Sequence, residues 1–161
     1  MKKNKINKKF VYLISPNKIK SDNFYTDLES VFSSKKVSFF QLRLKRETDK
    51  NKLKIGKKIL KICKKFKVKF LINDEPKLAK KINADGCHLG QKDMNINKAR
   101  KLIGNKIIGI TCHNSLQLAK KAVENKADYV AFGAFYHSKT KKTKFKSDIK
   151  ILKSFKKITN T

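Results

Sequence analysis

The sequence predicts an α/β fold, a TIM (β/α)8-type barrel represented by about six βα units, on three observations. Short β-rich apolar runs alternate six times with segments whose apolar residues recur at helical spacing. No G-x-G-x-x-G follows the first run and no Walker-type loop occurs, which weakens the open-sheet nucleotide-binding alternatives. The polar residues that punctuate the pattern gather at the C-terminal ends of the runs, the rim where such barrels carry chemistry.

The first strand is Phe10 to Ile14, stopped by the turn signal Ser15-Pro16. Residues 22–34 follow as a helix, with Phe24, Leu28, Val31 and Phe32 at helical spacing. Val37 to Leu44 reads as the second strand. Thr48 or Asp49 caps a helix to about Phe66, whose apolar stripe runs from Leu53 to Phe66 while most of its lysines face water. Val68 to Ile72 is the third strand, and Pro76 suits the first turn of the next helix, where its missing N–H costs nothing. Gly86 to Leu89 is the fourth strand. Asn95 caps a short helix closed by Gly104. Ile107 to Ile110 is the fifth strand, Ser115 to Asn125 a helix, and Tyr129 to Phe132 the sixth strand, ending in Gly133. A polar Lys/Thr loop leads to a helix of about residues 147–157, and Ile158 and Thr159 are placed to begin a seventh strand.

Residues 1–9 read as a basic tail and 10–161 as a single barrel domain, cut short at its C-terminus. Composition narrows the function. The 42 Lys and Arg against 12 Asp and Glu give a formal charge of +30, yet only Arg43, Arg46 and Arg100 are arginines, and lysine is spread over every segment. That is a compositional bias rather than a basic patch, so no specific nucleic-acid partner is expected. Three cysteines and a basic N-terminus with no apolar stretch behind it point to a reducing, cytoplasmic setting. No apolar run is long enough to span a membrane.

The rim carries specific chemistry. Gln41, Arg43 and Lys45 stand at i, i+2 and i+4, so on a continuous strand they share one face. Asn73 and Asp74 follow the third strand, Gln91 and Asp93 the fourth, Thr111 and His113 the fifth, and Ser138, Thr140 and Lys141 the sixth. Arg43 suits bidentate recognition of phosphate, with Lys45 and Lys141 as point charges. Asp74 and Asp93 are hard oxygen ligands of the kind Mg2+ takes together with waters and substrate phosphates. Two carboxylates in so basic a chain suggest a divalent cation and a phosphorylated ligand.

In order, VYLISP at 11–16, QLRLK at 41–45, LIND at 71–74, ADGCHLGQKD at 84–93, IGITCH at 108–113, ADYVAFG at 127–133 and SKTKK at 138–142 resemble the thiamine phosphate synthase family. The resemblance implies a transferase of thiamine biosynthesis. It joins 4-amino-5-hydroxymethyl-2-methylpyrimidine diphosphate to a thiazole phosphate and releases diphosphate. The implied mechanism is dissociative: diphosphate departs first, and the thiazole nitrogen traps the methylene cation. By the family pattern Gln41, Arg43, Lys45 and Asn73 bind the pyrimidine diphosphate, and Asp74 and Asp93 bind Mg2+. Thr111, where the family usually has Ser, contacts the diphosphate or the pyrimidine. Lys141 holds the departing diphosphate, and Ser138 and Thr140 contact the thiazole phosphate. No residue is assigned as acid or base. The family also implies a small homo-oligomer.

Two departures stand out. Glu75 replaces the Arg that commonly follows the Asn-Asp pair, and the family's last strands with their Gly-rich phosphate loops are absent. The expectation is a fragment, or a chain completed from elsewhere, with little or no synthase activity of its own. The competing readings are a thiazole tautomerase-like relative, a degenerate non-catalytic barrel and a basic RNA-associated protein. Cys87-His88 and Cys112-His113 raise zinc, but strand neighbours point to opposite faces and no C-x-x-C occurs. His88 is expected to be a hydrogen-bonded strand histidine, Cys63 a core residue, and Gly133 a tight turn or a point of close ligand approach.

Overall fold

A computed structural model describes residues 10–136 and 145–159. The chain forms two compact units, Met1–Phe70 and Leu71–Thr161. In each, the strands neighbour one another in sequence order, and every registered pair is parallel.

The first unit holds β1 (Val11–Ile14), α1 (Asn23–Ser33), β2 (Val37–Leu42), α2 (Asp49–Lys65) and the first residues of β3 (Lys69–Asn73). Thr48 caps α2 from an extended backbone, its hydroxyl accepting from Asn51 N at 3.3 Å, and Asp49 puts negative charge at the positive end of the helix. The core is aromatic. Phe32 of α1 meets Phe40 of β2 edge-on at 5.8 Å and Phe66 at 6.1 Å, while Phe40 stacks on Phe70 at 6.2 Å. Ile59, Ile62 and Cys63 are buried along the apolar stripe of α2, so Cys63 is the core residue its helical position predicts.

The second unit continues β3 and adds α3 (Pro76–Ile82), β4 (Gly86–Leu89), α4 (Ile96–Ile103), β5 (Ile107–His113), α5 (Leu116–Glu124), β6 (Tyr129–Phe132) and α6 (Lys150–Lys156). Pro76 opens α3, and Asn83 ends it in the left-handed region at φ 57°. Asn95 and Ser115 cap α4 and α5 by accepting from Asn97 N at 2.9 Å and Leu118 N at 3.2 Å. Arg100 of α4 staples the base of this unit. Its guanidinium donates to the carbonyls of Gly104 (2.8 Å), Lys106 and Lys126 (2.9 Å), and pairs with Asp128 at 2.7 Å. Asp128 also accepts from Ile108 N at 2.8 Å, so one ion pair joins the turns before β5 and β6.

Four boundaries differ from the sequence expectation by more than one residue. β2 ends at Leu42, not Leu44, because Arg43 N donates to the Ser15 hydroxyl at 2.8 Å in place of a strand carbonyl. β5 runs on to His113, with a register shift against β6 between Thr111 and His113 that absorbs the extra residue. α6 starts at Lys150 rather than 147, because Ser147 spends its N–H on Ala134 O at 2.8 Å and its hydroxyl on His113 O at 2.9 Å. Ile158 and Thr159 begin no strand. Both N–H groups donate back to Phe155 O, at 2.9 and 3.2 Å, and the chain coils past α6.

Candidate active site

In the first unit the ends of β1 and β2 build one small polar assembly. Ser15 N donates to Gln41 O at 2.9 Å, the Ser15 hydroxyl receives Arg43 N, and the Arg43 guanidinium donates to Asn17 Oδ1. Gln41 and Arg43 are thereby fixed beside the Ser15–Asn17 turn. Lys45 departs from expectation: it lies in a turn beyond β2 and is exposed, so the shared face reduces to Gln41 and Arg43. Gln41 is only 3 % exposed, and its Nε2 is the one buried side-chain polar atom, among the described residues, with no hydrogen-bond partner. An unpaired buried donor costs about 1–3 kcal/mol, so it is rare without a function.

In the second unit Asn73 closes β3 and is half-buried. Asp74 follows at φ 64°, a left-handed conformation that Asp tolerates better than most residues, and its N–H donates to His88 O at 2.8 Å. Asp93 folds back on the residue after β4: Gly90 N donates to its Oδ2 at 2.6 Å, a charge-assisted bond, and Asp93 N donates to Gly90 O at 3.3 Å. The Asp74 backbone and the Asp93 carboxylate are thus both tied to the C-terminal end of β4. Glu75 stands at the start of α3 without capping it through its side chain.

Thr111 sits half-buried on β5 rather than after it. Its hydroxyl lies 2.7 Å from His88 Nε2, and its carbonyl accepts from the Gln91 carboxamide. His88 Nδ1 in turn lies 2.8 Å from the Tyr129 hydroxyl, with the two rings stacked at 5.5 Å. His88 is therefore the hydrogen-bonded strand histidine expected, but it also links Thr111 to Tyr129. That link, and Tyr129 itself, escaped sequence reasoning. A signal was present in Gly109, a glycine inside an apolar strand, which marks a close approach. A Cβ at 109 would stand 1.9 Å from Tyr129 Cζ.

His113 is held differently. It has φ 52°, its ring stacks on Phe145 at 4.2 Å, and its carbonyl receives Gly133 N at 3.0 Å and the Ser147 hydroxyl. Gly133, at φ 150°, meets no atom within 4 Å of where a Cβ would stand. Ser138, Thr140 and Lys141 lie outside the described residues. The thiols beside the two histidines are buried. Burial pushes Cys87 up to about 12, slightly offset by the Arg100 charge, and Cys112 up to about 11, so neither is a thiolate near neutrality. Among the described residues no three His, Cys, Asp or Glu side chains form a metal-binding group.

Comparison with known proteins identifies the chains to which this one is similar. A family model described as thiamine monophosphate synthase matches residues 11–161. The thiamine-phosphate synthase of Pelagibacter ubique is 71 % identical over 160 residues, covering 99 % of this chain and 77 % of the relative. That of Marinobacter nauticus is 41 % identical over 133 residues, covering 81 % of this chain and 60 % of the relative. Among solved structures, the thiamine phosphate pyrophosphorylase from Pyrococcus furiosus superposes with a TM-score of 0.72 at 25 % identity, covering 83 % of this chain and 64 % of that one. The likeness agrees with the α/β, TIM-barrel type of fold read from the sequence.

Proposed function

The chain belongs to the thiamine monophosphate synthase family, and from that premise we propose that it acts in thiamine biosynthesis, joining hydroxymethylpyrimidine diphosphate to thiazole phosphate and releasing diphosphate. The observation that carries the reading is the orphaned Gln41 Nε2. A buried carboxamide whose N–H lacks a partner is suited to a heteroaromatic acceptor such as a pyrimidine nitrogen. The fixed Arg43 guanidinium is suited to the phosphate oxygens attached to it.

In this reading Gln41, Arg43, Lys45 and Asn73 bind the pyrimidine diphosphate. Thr111 contacts the diphosphate or the ring. Lys141 holds the diphosphate as it leaves, and Ser138 and Thr140 take the thiazole phosphate; these three assignments rest on the sequence motif. The mechanism is dissociative. Positive charge and fixed donors around the leaving anion lower its barrier to departure, and no general base is needed.

Mg2+ belongs to the same reading. The donor set fits it: Asp74 and Asp93 offer only hard oxygens, and two carboxylates leave most of an octahedron to waters and substrate phosphate. Bound there, the cation would neutralise charge on the leaving diphosphate. The Asp93–Gly90 bond guides the test. Asp93→Asn keeps an oxygen for Gly90 N and removes the charge, so the turn survives. Mg2+-dependent diphosphate binding by calorimetry should fall about 100-fold or more. Diphosphate binding in D93N as tight as in the wild type overturns the metal assignment, and a wild type that binds no diphosphate overturns the synthase reading.

The three cysteines are buried thiols, which suits a reducing cytoplasmic setting. No helix among the described residues is long and apolar enough to cross a membrane. A small homo-oligomer completes the reading.

A further inference from the structure

We propose that Tyr129 is a positioning residue that sets the direction of the hydrogen-bond chain Tyr129–His88–Thr111, so that the Thr111 hydroxyl presents its proton to a phosphate oxygen. The inference rests on the synthase reading and selects between its two partners for Thr111, the diphosphate and the pyrimidine ring.

The geometry is a three-member relay within the second unit. Tyr129 Oη lies 2.8 Å from His88 Nδ1, and His88 Nε2 lies 2.7 Å from Thr111 Oγ1. The His88 and Tyr129 rings stack at 5.5 Å between centroids, and Gly109 leaves the space the phenol ring occupies. The Thr111 carbonyl is held by Gln91, so backbone and side chain of this residue are both fastened to β4 and the residues just after it.

An imidazole with one N–H transmits direction. Which nitrogen carries the proton is set by the bond the other nitrogen makes. Two arrangements fit the distances. In one, Nδ1–H donates to the phenol oxygen and the threonine O–H donates to Nε2. Thr111 then offers a ligand only lone pairs, which suits a ring amino group. In the other, the phenol O–H donates to Nδ1 and Nε2–H donates to Thr111 Oγ1. Thr111 then keeps its own proton for an acceptor, which suits an anionic oxygen. A phenol, ionising near pH 10, is a far stronger donor than an aliphatic hydroxyl. The phenol therefore takes the donor role, and the second arrangement follows. Tyr129 acts on the ligand without touching it.

The test uses the full chain labelled with 15N-histidine. Long-range 1H–15N correlation reads the tautomer, and a His88→Asn variant assigns the signal among the three histidines. The wild type should show a protonated Nε2 and a bare Nδ1, and Tyr129→Phe should shift His88 toward a mixture. Calorimetry with inorganic diphosphate and Mg2+ should then give a Kd weakened about 5- to 10-fold in Y129F and by more in Thr111→Val, the scale of one hydrogen bond. The Kd for the unphosphorylated pyrimidine alcohol should stay unchanged in Y129F. Circular dichroism confirms that each variant is folded. A bare Nε2 in the wild type, or equal weakening of both ligands, overturns the proposal. If the wild type binds diphosphate and Y129F binds it equally well, this proposal alone falls. If the wild type binds no diphosphate, the synthase reading falls with the ligand assigned to Thr111.

Discussion

Gly109 and Tyr129 occupy each other's space: a Cβ on Gly109 would stand 1.9 Å from Tyr129 Cζ and 2.3 Å from its hydroxyl oxygen. The phenol cannot simply swing away, because it is stacked on His88 and hydrogen-bonded to it. Gly109→Ala should therefore destabilise the fold by about 1–3 kcal/mol, the cost of overpacking. Truncating the obstacle should relieve most of that cost, so G109A/Y129A should be much less unstable than the sum of its single variants. Gly86 provides the contrast. Its obstacle is backbone, with Ile107 O at 1.9 Å, and no side-chain truncation can clear it. Gly86→Ala should be the more damaging change and show no such rescue. Urea unfolding of the four variants checks both expectations; additive energies for the 109/129 pair would contradict this account.

The two strand cysteines make stability fall at alkaline pH. Folded Cys87 titrates at about 12 and Cys112 at about 11, against 9.0 for the free thiol, and burial is the cause in both. Between pH 9 and 12 the unfolded chain has lost these protons while the native chain keeps them. The native state then binds more protons, and stability falls as pH rises. Below pH 9 the two thiols contribute no slope. Lysines titrate in the same window, so the comparison is with C87A/C112A, whose stability should decline less steeply from pH 9 upward. At pH 8 a disulfide reagent should leave all three thiols of the native protein unmodified and label them on unfolding. Fast native labelling would contradict the burial of these strands.

The βα order was legible because hydrophobic period and turn chemistry agree almost everywhere. Thr48, Pro76, Asn95 and Ser115 open helices, as their side chains or missing N–H predict. The differences arise where a tertiary hydrogen bond outcompetes a local preference. The Ser15 hydroxyl diverts Arg43 N and ends β2, and Ser147 bonds to Ala134 and His113 in place of entering a helix. Neither partner is near in sequence, so no window of residues could reveal it. For the same reason the candidate site was legible as a set of motifs but not as a network. Asp74 and Asp93 stood out by residue type, whereas Tyr129 passed as an ordinary aromatic strand residue. Arg100, one of only three arginines, gave no local hint that it staples three carbonyls and Asp128.

Gln41 offers the sharpest separation of a functional role from a structural one. Its Nε2 is buried and has no partner among the described residues. Replacing a polar group whose donor is unsatisfied with an apolar one of similar shape removes a desolvation cost and opens no cavity. Gln41→Met should therefore leave stability unchanged or raise it by about 1 kcal/mol, although most substitutions at so buried a position destabilise. In the synthase reading the same change deletes the donor that meets the pyrimidine, and affinity for the pyrimidine diphosphate should fall about 10-fold or more. Gln41→Glu should fail on both counts, since it buries a carboxylate where a neutral amide stood. A gain or constancy in stability together with lost affinity is what a residue kept for binding produces. A loss beyond about 2 kcal/mol in Gln41→Met, measured by urea unfolding, would instead mean that the amide is held by the fold.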